Sequence, residues 1–238
     1  MNTLLSFHGD EKLKETMIEE IEKHRKADAI IQGTYGNKDD KEFKGCAVGC
    51  SIQSLNKGLD TSDHSIYEKE LGIPEWLARL EDKLFEGLPV EESKKWPGDF
   101  MQAIPIGVNL EHVKYKFCVF LLKENIDRVL TLKIEDSLKE QVVSAIRDVL
   151  TLHENAINTG IWDESAARSA ESAAESAARS AASAAWSAAW SAASAARSAA
   201  WSAAWSAASA AESAASAAWS AAYIKYAEKL LEMIRKCK

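Results

Sequence analysis

Apolar residues recur at helical spacing in several separate segments of the first 160 residues. In DEKLKETMIEEIEKHRKADAI they are four residues apart, at Leu13, Met17 and Ile21. The pattern returns in PEWLARLEDKLFEGL, where Pro74 suits the start of a helix, and in DSLKEQVVSAIRDVLTLHENAI. Because each segment has one apolar face to bury, residues 1–160 are predicted to form an all-α, globular, multi-helix domain.

The last third of the chain has a different pattern, made of Ser-Ala-Ala units interrupted by Trp, Arg and Glu. From Ser165 to Ser220 the serines advance in fifteen steps over 55 residues, a mean of about 3.67 residues per step. This mean is close to the period of an α-helix and far from that of a strand. No Gly or Pro follows Gly160, and Ala is the best helix former. Residues 161–238 are therefore predicted to be a long Ala/Ser-rich helix with an 11-residue repeat.

On a helical wheel of this tail the serines fill one arc, Ala fills most of the rest, and larger side chains form a stripe beside the serines. A bare Ala arc is useful where another backbone approaches closely, so we predict a homo-oligomer joined along residues 163–235. The stripe has two open interpretations, the rim of that contact or a surface for a protein or ligand. Under the second interpretation the partner-binding residues are Trp186, Trp190, Arg197, Trp201, Trp205, Trp219 and Tyr223.

The formal net charge of -7 is divided unevenly along the chain. Residues 161–238 carry eight basic and seven acidic side chains, a balance of +1, which leaves -8 for residues 1–160. An acidic globular domain argues against a nucleic-acid partner. The chain has no apolar run long enough for a membrane span, no signal-peptide pattern at its start, and four Cys without a paired framework. These features predict a cytoplasmic protein with reduced thiols.

Cys46 and Cys50 lie one helical turn apart in GCAVGCSIQSL and are the residues best suited to chemistry. With His8, His24 or His64 they could form a zinc site or a Cys–His nucleophile pair. However, their spacing lacks the usual two-residue zinc knuckle, and buried Cys is common as a small hydrophobe. We therefore predict reduced, metal-free thiols in the core, with no cofactor, and leave metal binding and catalysis as the less favoured alternatives.

A second candidate is a small polar pocket at the end of the first predicted helix, where polar residues run into a Gly-rich loop. An ordinary solvated helix end is the competing interpretation. The glycines of this region do not form a phosphate-binding loop, since no GK[ST] follows them and no strand precedes them. The residues of the possible pocket are His24, Arg25, Asp28, Gln32, Cys46, Cys50, Asp63 and His64.

Four segments resemble an uncharacterised protein family met in bacteriophages and bacterial genomes: HGDEKLKETMIEEIEKHRKADAIIQGTYG, GCAVGCSIQS, LGIPEWLARLEDKLFEGLP and WPGDFMQAIPIGVNL. Members of that family similarly join a helical N-terminal region to an Ala-rich repetitive C-terminal region. The resemblance covers most of residues 7–122 and the style of the tail. The tail departs from the family pattern in its regular Ser and in Trp where Asp or Tyr is commoner. The resemblance implies no established activity, and no functional residue is carried across.

Three functional classes follow from these features. The favoured one is a non-enzymatic interaction protein that self-associates through the Ala/Ser-rich helix, and the family resemblance suggests a phage-type host-directed or defence-modulating binder. The alternative is a small-ligand-binding protein or an enzyme that uses the region of Cys46, Cys50 and the histidines. The third is an ice-binding helix, although such helices present Thr once per repeat, whereas Ser recurs every turn here.

Overall fold

The computed structural model describes residues 4–36, 42–56, 58–170 and 201–238, the last range with side chains from residue 216 onward. The prediction of an all-α protein is confirmed: across these ranges no β-strand occurs, and Ile30 and Gly45 form an isolated bridge. The helices are α1 (Glu11–Lys26), α2 (Ala47–Leu55), α3 (Ser65–Leu71), α4 (Glu75–Gly87), α5 (Val90–Ser93), α6 (Trp96–Ala103), α7 (Glu111–Thr131), α8 (Asp136–Thr159) and α9 (Trp201–Arg235).

The chain divides into two compact units that differ from the division by composition. One unit contains residues 1–114 together with residues 216–238, and the other contains residues 115–215. The end of the Ala-rich tail therefore belongs to the same unit as the N-terminal helices. The predicted boundary near residue 160 marks a change of sequence pattern and stays a prediction about separate domains.

The core of the first unit is built around α2, which packs against α1, α4 and α6. Its sequence AVGCSIQSL is rich in small residues, which allow helices to approach on several sides, and nearly every position from Ala47 to Gln53 is buried. The predicted inward face of α1 is confirmed at Met17 and Ile21, each 1 % exposed, whereas Leu13 is only half-buried. The result is a core with little solvent access around α2.

The segment between α1 and α2 lacks helical periodicity and folds back beside itself. The bridge between Ile30 and Gly45 joins its two ends. Gly49, in the first turn of α2, permits a close approach of this segment, because a Cβ there would lie 2.2 Å from the carbonyl oxygen of Tyr35. Tyr35 is therefore held close to the N-terminus of α2, where Cys46 is the N-cap residue.

The second unit contains most of α7, all of α8 and the start of the tail. In it, Leu152 and Ala156 are buried on α8. The rings of Tyr115, His153 and Trp162 pack together, with centroids 5.0 to 6.0 Å apart. This aromatic group fixes the chain just after the left-handed turn that ends α8.

The described part of the tail is helical over residues 164–170 and 201–235. Asp163 Oδ1 accepts hydrogen bonds from the backbone N–H groups of Ser165 (3.0 Å) and Ala166 (2.9 Å), the N-cap geometry that its position suggests. Residues 164–170 follow as helix, and α9 covers Trp201–Arg235. The prediction of one unbroken helix over 163–235 depends on residues 171–200, which lie outside the described residues.

Length and hydropathy of the helices also bear on membrane insertion. In the described part of the chain, no helix combines the length and the apolar character that crossing a bilayer requires.

Candidate metal centre

A thiol and two carboxylates converge at the N-terminus of α2. One ligand atom from each of Cys46, Asp82 and Glu86 lies within 4.8 Å of the others. Asp82 and Glu86 are four residues apart on α4, so they lie on one face of that helix. Cys46 reaches the same point because it is the N-cap of α2, which packs against α4. Two secondary-structure elements thus supply three potential metal ligands.

His64 lies against this group and faces an acceptor with each ring nitrogen. Its Nε2 is 3.3 Å from Asp82 Oδ2, its Nδ1 is 3.1 Å from the carbonyl oxygen of Ser62, and its side chain is only 7 % exposed. A neutral imidazole has one N–H and can donate to only one of these oxygens.

The carboxylate of Asp82 is engaged on one side only. Its Oδ2 accepts a hydrogen bond of 2.8 Å from the Tyr35 hydroxyl and faces His64 Nε2. Its Oδ1 is buried and accepts no hydrogen bond of good geometry from a residue that the structure describes, although the Cys46 thiol is close enough to interact with this carboxylate. Partial burial, and then this hydrogen bond, raise the pKa of Tyr35 to about 12, so Tyr35 remains a donor at neutral pH. Asp82 thus has an oriented oxygen with free lone pairs inside the protein.

The two cysteines predicted to be buried are buried, and both are free thiols. Burial raises the pKa of Cys46 far above its ordinary value, and the nearby Asp82 adds to the rise, while the Gly49 N–H, 3.4 Å from Sγ, opposes it. Cys50 donates to the carbonyl oxygen of Gly45 (3.4 Å), and burial raises its pKa to about 12. Cys50 is therefore a core thiol with a local partner, whereas Cys46 faces the carboxylates.

A buried acidic residue lies next to this group on α4. Glu81 is 0 % exposed, and its two carboxylate oxygens, like the Tyr67 hydroxyl, make no hydrogen bond of good geometry within the described ranges. Desolvation raises the pKa of Glu81 to about 8, the charge of Asp82 adds to it, and the nearby Tyr67 hydroxyl partly opposes it. Because Glu81 is neutral at pH 7, it adds no negative charge next to Asp82.

Of the residues proposed from sequence for a polar pocket, the structure brings Cys46 and His64 together around Asp82. The Gln32 side-chain amide instead donates to the carbonyl oxygens of Phe85 (2.7 Å) and Leu88 (2.9 Å) at the end of α4. Gln32 therefore helps to hold the helix that carries Asp82, without reaching the site itself.

The remaining pocket residues have separate local roles. Asp63 Oδ1 accepts from the Ser65 N–H at 3.0 Å, and Asp28 forms an exposed ion pair with Lys94 at 3.0 Å. Arg25 pairs with a glutamate one turn earlier in α1. His24 lines a different cleft of about 640 Å³, between the ends of α1 and α2. The eight residues thus do not form one pocket.

The stripe proposed for partner binding is described only at its C-terminal end. Trp219 is 67 % exposed and stacks on Tyr223 with ring centroids 6.0 Å apart. Tyr223 also contacts Gly87 at the end of α4. The others lie outside the described side chains: Trp186, Trp190, Arg197, Trp201 and Trp205.

Sequence reasoning missed Tyr35, Asp82 and Glu86. The available signal was the spacing of Asp82 and Glu86, four residues apart on a segment predicted to be helical. That spacing is common on solvated helix faces, so it gains meaning only once Cys46 is placed opposite. Glu81 had a clearer signal, because it falls between Leu77 and Leu84 on the apolar face of α4.

Comparison with models of known protein families gave no match. Comparison with curated proteins and comparison with solved structures also gave no match.

Proposed function

We propose that this protein binds a divalent transition metal, zinc above all, through Cys46, His64, Asp82 and Glu86, called the Cys46 site below. The observation that carries the proposal is the carboxylate of Asp82. One of its oxygens is buried without a hydrogen bond of good geometry from another described residue, and the Cys46 thiol and a second carboxylate lie beside it. A bound cation satisfies that oxygen, whereas a buried polar atom left without a partner destabilises the fold.

The types of donor atom in this set suit tetrahedral zinc. Thiolate sulfur, imidazole nitrogen and carboxylate oxygen are its usual protein ligands, with Zn–N and Zn–O bonds of about 2.0–2.1 Å. Two such ligands on one tetrahedral ion are about 3.3 Å apart. His64 Nε2 has this separation, 3.3 Å, from Oδ2 of Asp82, the oxygen that also accepts from the Tyr35 hydroxyl, while Oδ1 is the oxygen without a hydrogen bond of good geometry. The thiol favours zinc over magnesium and calcium, which select oxygen ligands.

Outer contacts hold each proposed ligand, as is usual around bound metals. In the proposed site, the Nδ1–H of His64 donates a hydrogen bond to the Ser62 carbonyl oxygen, which leaves Nε2 for the metal. The Tyr35 hydroxyl orients Asp82, and the Gly33 N–H donates to both Glu86 oxygens at 3.0 and 3.1 Å. Metal binding replaces the proton of the Cys46 thiol, so affinity rises with pH.

Solvent reaches this site from one side, because Glu86 is exposed and Tyr35 is 37 % exposed. A metal held there keeps access to water or to a small molecule. The proposal therefore takes up the second functional class of the sequence analysis, a small-ligand-binding protein or enzyme that uses the Cys46 region. It departs from the prediction of metal-free thiols, since that prediction took no account of the carboxylates opposite Cys46.

The test is metal titration of the full chain after chelation, by calorimetry and by competition with a chromophoric chelator. One zinc ion per chain should bind, and magnesium and calcium should not compete. Cobalt should give thiolate-to-metal charge-transfer absorption in wild type and in Cys50→Ser, but not in Cys46→Ser. We expect Cys46→Ser and Asp82→Asn to weaken zinc binding by about 100-fold or more.

Cys50→Ser is the matched control, because it removes an equally buried thiol of the same helix from outside the proposed ligand set. Its zinc affinity should stay within about twofold of wild type. Absence of stoichiometric zinc in wild type, or equal loss in Cys46→Ser and Cys50→Ser, would contradict the proposal.

A second proposed function is self-association along residues 163–235, with a protein partner for the Trp stripe and a phage-type host-directed role. The 67 % exposure of Trp219 favours it, because a large apolar ring in water marks a surface available for contact. Light scattering at tens of micromolar should give an oligomer. Replacing Ala188, Ala199 and Ala210 together with Leu should disrupt it by separating the helices. A monomeric wild type would end this second proposal.

A further inference from the structure

The last turn of α4 is shared by the Cys46 site and the end of the tail. Glu86 belongs to the site, and Gly87, the next residue, lies against the ring of Tyr223. A Cβ on Gly87 would be 2.0 Å from Cε1 of Tyr223, which is far inside van der Waals contact. Tyr223 can therefore occupy its position only while this turn keeps its place.

The same turn is held from its other side by the segment that follows α1. The side-chain amide of Gln32 donates to the carbonyl oxygens of Phe85 and Leu88, and the Gly33 N–H donates to the Glu86 carboxylate. A displacement of the turn would thus alter these hydrogen bonds together with the position of Glu86. The turn therefore connects these hydrogen bonds, the proposed ligand Glu86 and the contact with Tyr223.

Beyond Tyr223, the end of α9 is part of the core of the first unit. Ala227 is 5 % exposed, and Leu230 and Ile234 are 0 % exposed. Residues on one helix cannot bury each other to this extent, so this face is covered by the rest of the unit. Trp219, one turn before Tyr223, is 67 % exposed, which marks where the docked part of the helix begins.

We infer that metal binding at the Cys46 site and docking of residues 223–234 of the tail stabilise each other through the last turn of α4. This inference rests on the proposed metal site. A metal that holds Glu86 restrains the turn against which Tyr223 packs, and thereby reduces local opening of the docked helix. Because the coupling free energy between two sites is reciprocal, undocking of the tail must weaken metal binding by the same free energy by which metal binding favours docking.

The first experiment is amide hydrogen exchange of the full wild-type chain with and without zinc. Zinc should slow exchange of residues 223–234, and the slowing should be absent in Cys46→Ser, whose tail is unchanged. Unaltered exchange of this segment at saturating zinc would overturn the inference. Because this arm uses wild type, it decides the matter even if a core variant does not fold.

The second experiment measures the reverse effect by zinc titration of Leu230→Ala, which loosens docking from a position outside the ligand set. We expect its zinc affinity to fall by about fivefold or more, the lower end of typical coupling between sites. Glu228→Ala, at an exposed position on the same helix, is the control and should stay within about twofold. Equal affinities of Leu230→Ala and wild type would overturn the inference, provided circular dichroism shows a folded chain.

The two proposals fail in different ways. If wild type takes up no zinc, the metal site itself is wrong. If wild type binds one zinc ion through Cys46, but neither tail exchange nor the Leu230→Ala affinity responds, the site stands and the coupling is wrong.

Discussion

Helix α4 and the docked end of α9 both bury a face in the same unit, but with opposite chemistry. The buried face of α9 is purely apolar, with Leu230 and Ile234 fully covered. The face of α4 carries Leu77 and also Glu81, with Asp82 beside it, and neither carboxylate is fully satisfied within the described residues. Apolar burial alone explains the first helix, whereas burying unpaired carboxylates is costly. This difference indicates that α4, and not the end of α9, has a chemical role.

The largest expected effect is the loss of stability when a buried apolar side chain of either helix is truncated. Leu77→Ala on α4 and Ile234→Ala on α9 should each lower the free energy of unfolding by about 2–5 kcal/mol, since both delete fully buried methyl groups. Urea denaturation followed by circular dichroism measures this loss. Val90→Ala, at a position 58 % exposed, is the control and should have little effect. A near-neutral Ile234→Ala would show that the tail end is not part of the core.

The second prediction concerns the ionisation of Glu81, the acidic residue that is buried on α4. Folded protein keeps the Glu81 proton up to about pH 8, whereas the unfolded chain releases it above the ordinary pKa of 4.5. Between these values the unfolded state binds fewer protons, so rising pH favours unfolding. With a metal chelator present, the free energy of unfolding of wild type should fall by about 3 kcal/mol relative to that of Glu81→Gln between pH 5 and pH 8. Parallel stability curves for the two proteins would contradict this.

The third prediction concerns the orientation of Asp82. Tyr35→Phe removes the hydroxyl that donates to Asp82 Oδ2, while keeping the ring. Zinc affinity should fall by about tenfold, the usual loss when an outer hydrogen bond to a ligand is removed. Competition with a chromophoric chelator measures it. An unchanged affinity would show that the position of Asp82 does not depend on Tyr35.

The smallest effect is expected from an acidic residue of α9. Hydrogen bonds from Lys229 and Lys236 lower the pKa of Glu232 to about 2, so its stabilising interaction would be lost only in acid. The group is at the surface, where solvent screens such pairs. Glu232→Gln should therefore leave the urea midpoint at pH 7 unchanged within error. A clear shift would mean that the charges of α9 matter more than its apolar face.

The candidate site was only half visible from the sequence. Cys46 and His64 attract attention by residue type alone, and both prove to lie at the site. Asp82 and Glu86 are residue types that usually face solvent, and their spacing fits an ordinary exposed helix face, while Tyr35 is of a type with no strong preference. Their role depends on the fold-back between α1 and α2 and on the packing of α2 against α4, which no local pattern reports.

The sequence by itself determined the helices, because helix formation depends on hydrogen bonds and apolar spacing within a few residues. The inward face of α1 and the capping of the tail by Asp163 follow from the same local rules. Only the tertiary structure decided that the end of the tail joins the N-terminal core and that Cys46 meets Asp82. Both are contacts between residues distant in the chain, and they arise from the burial of whole faces, to which many different sequences are equally suited.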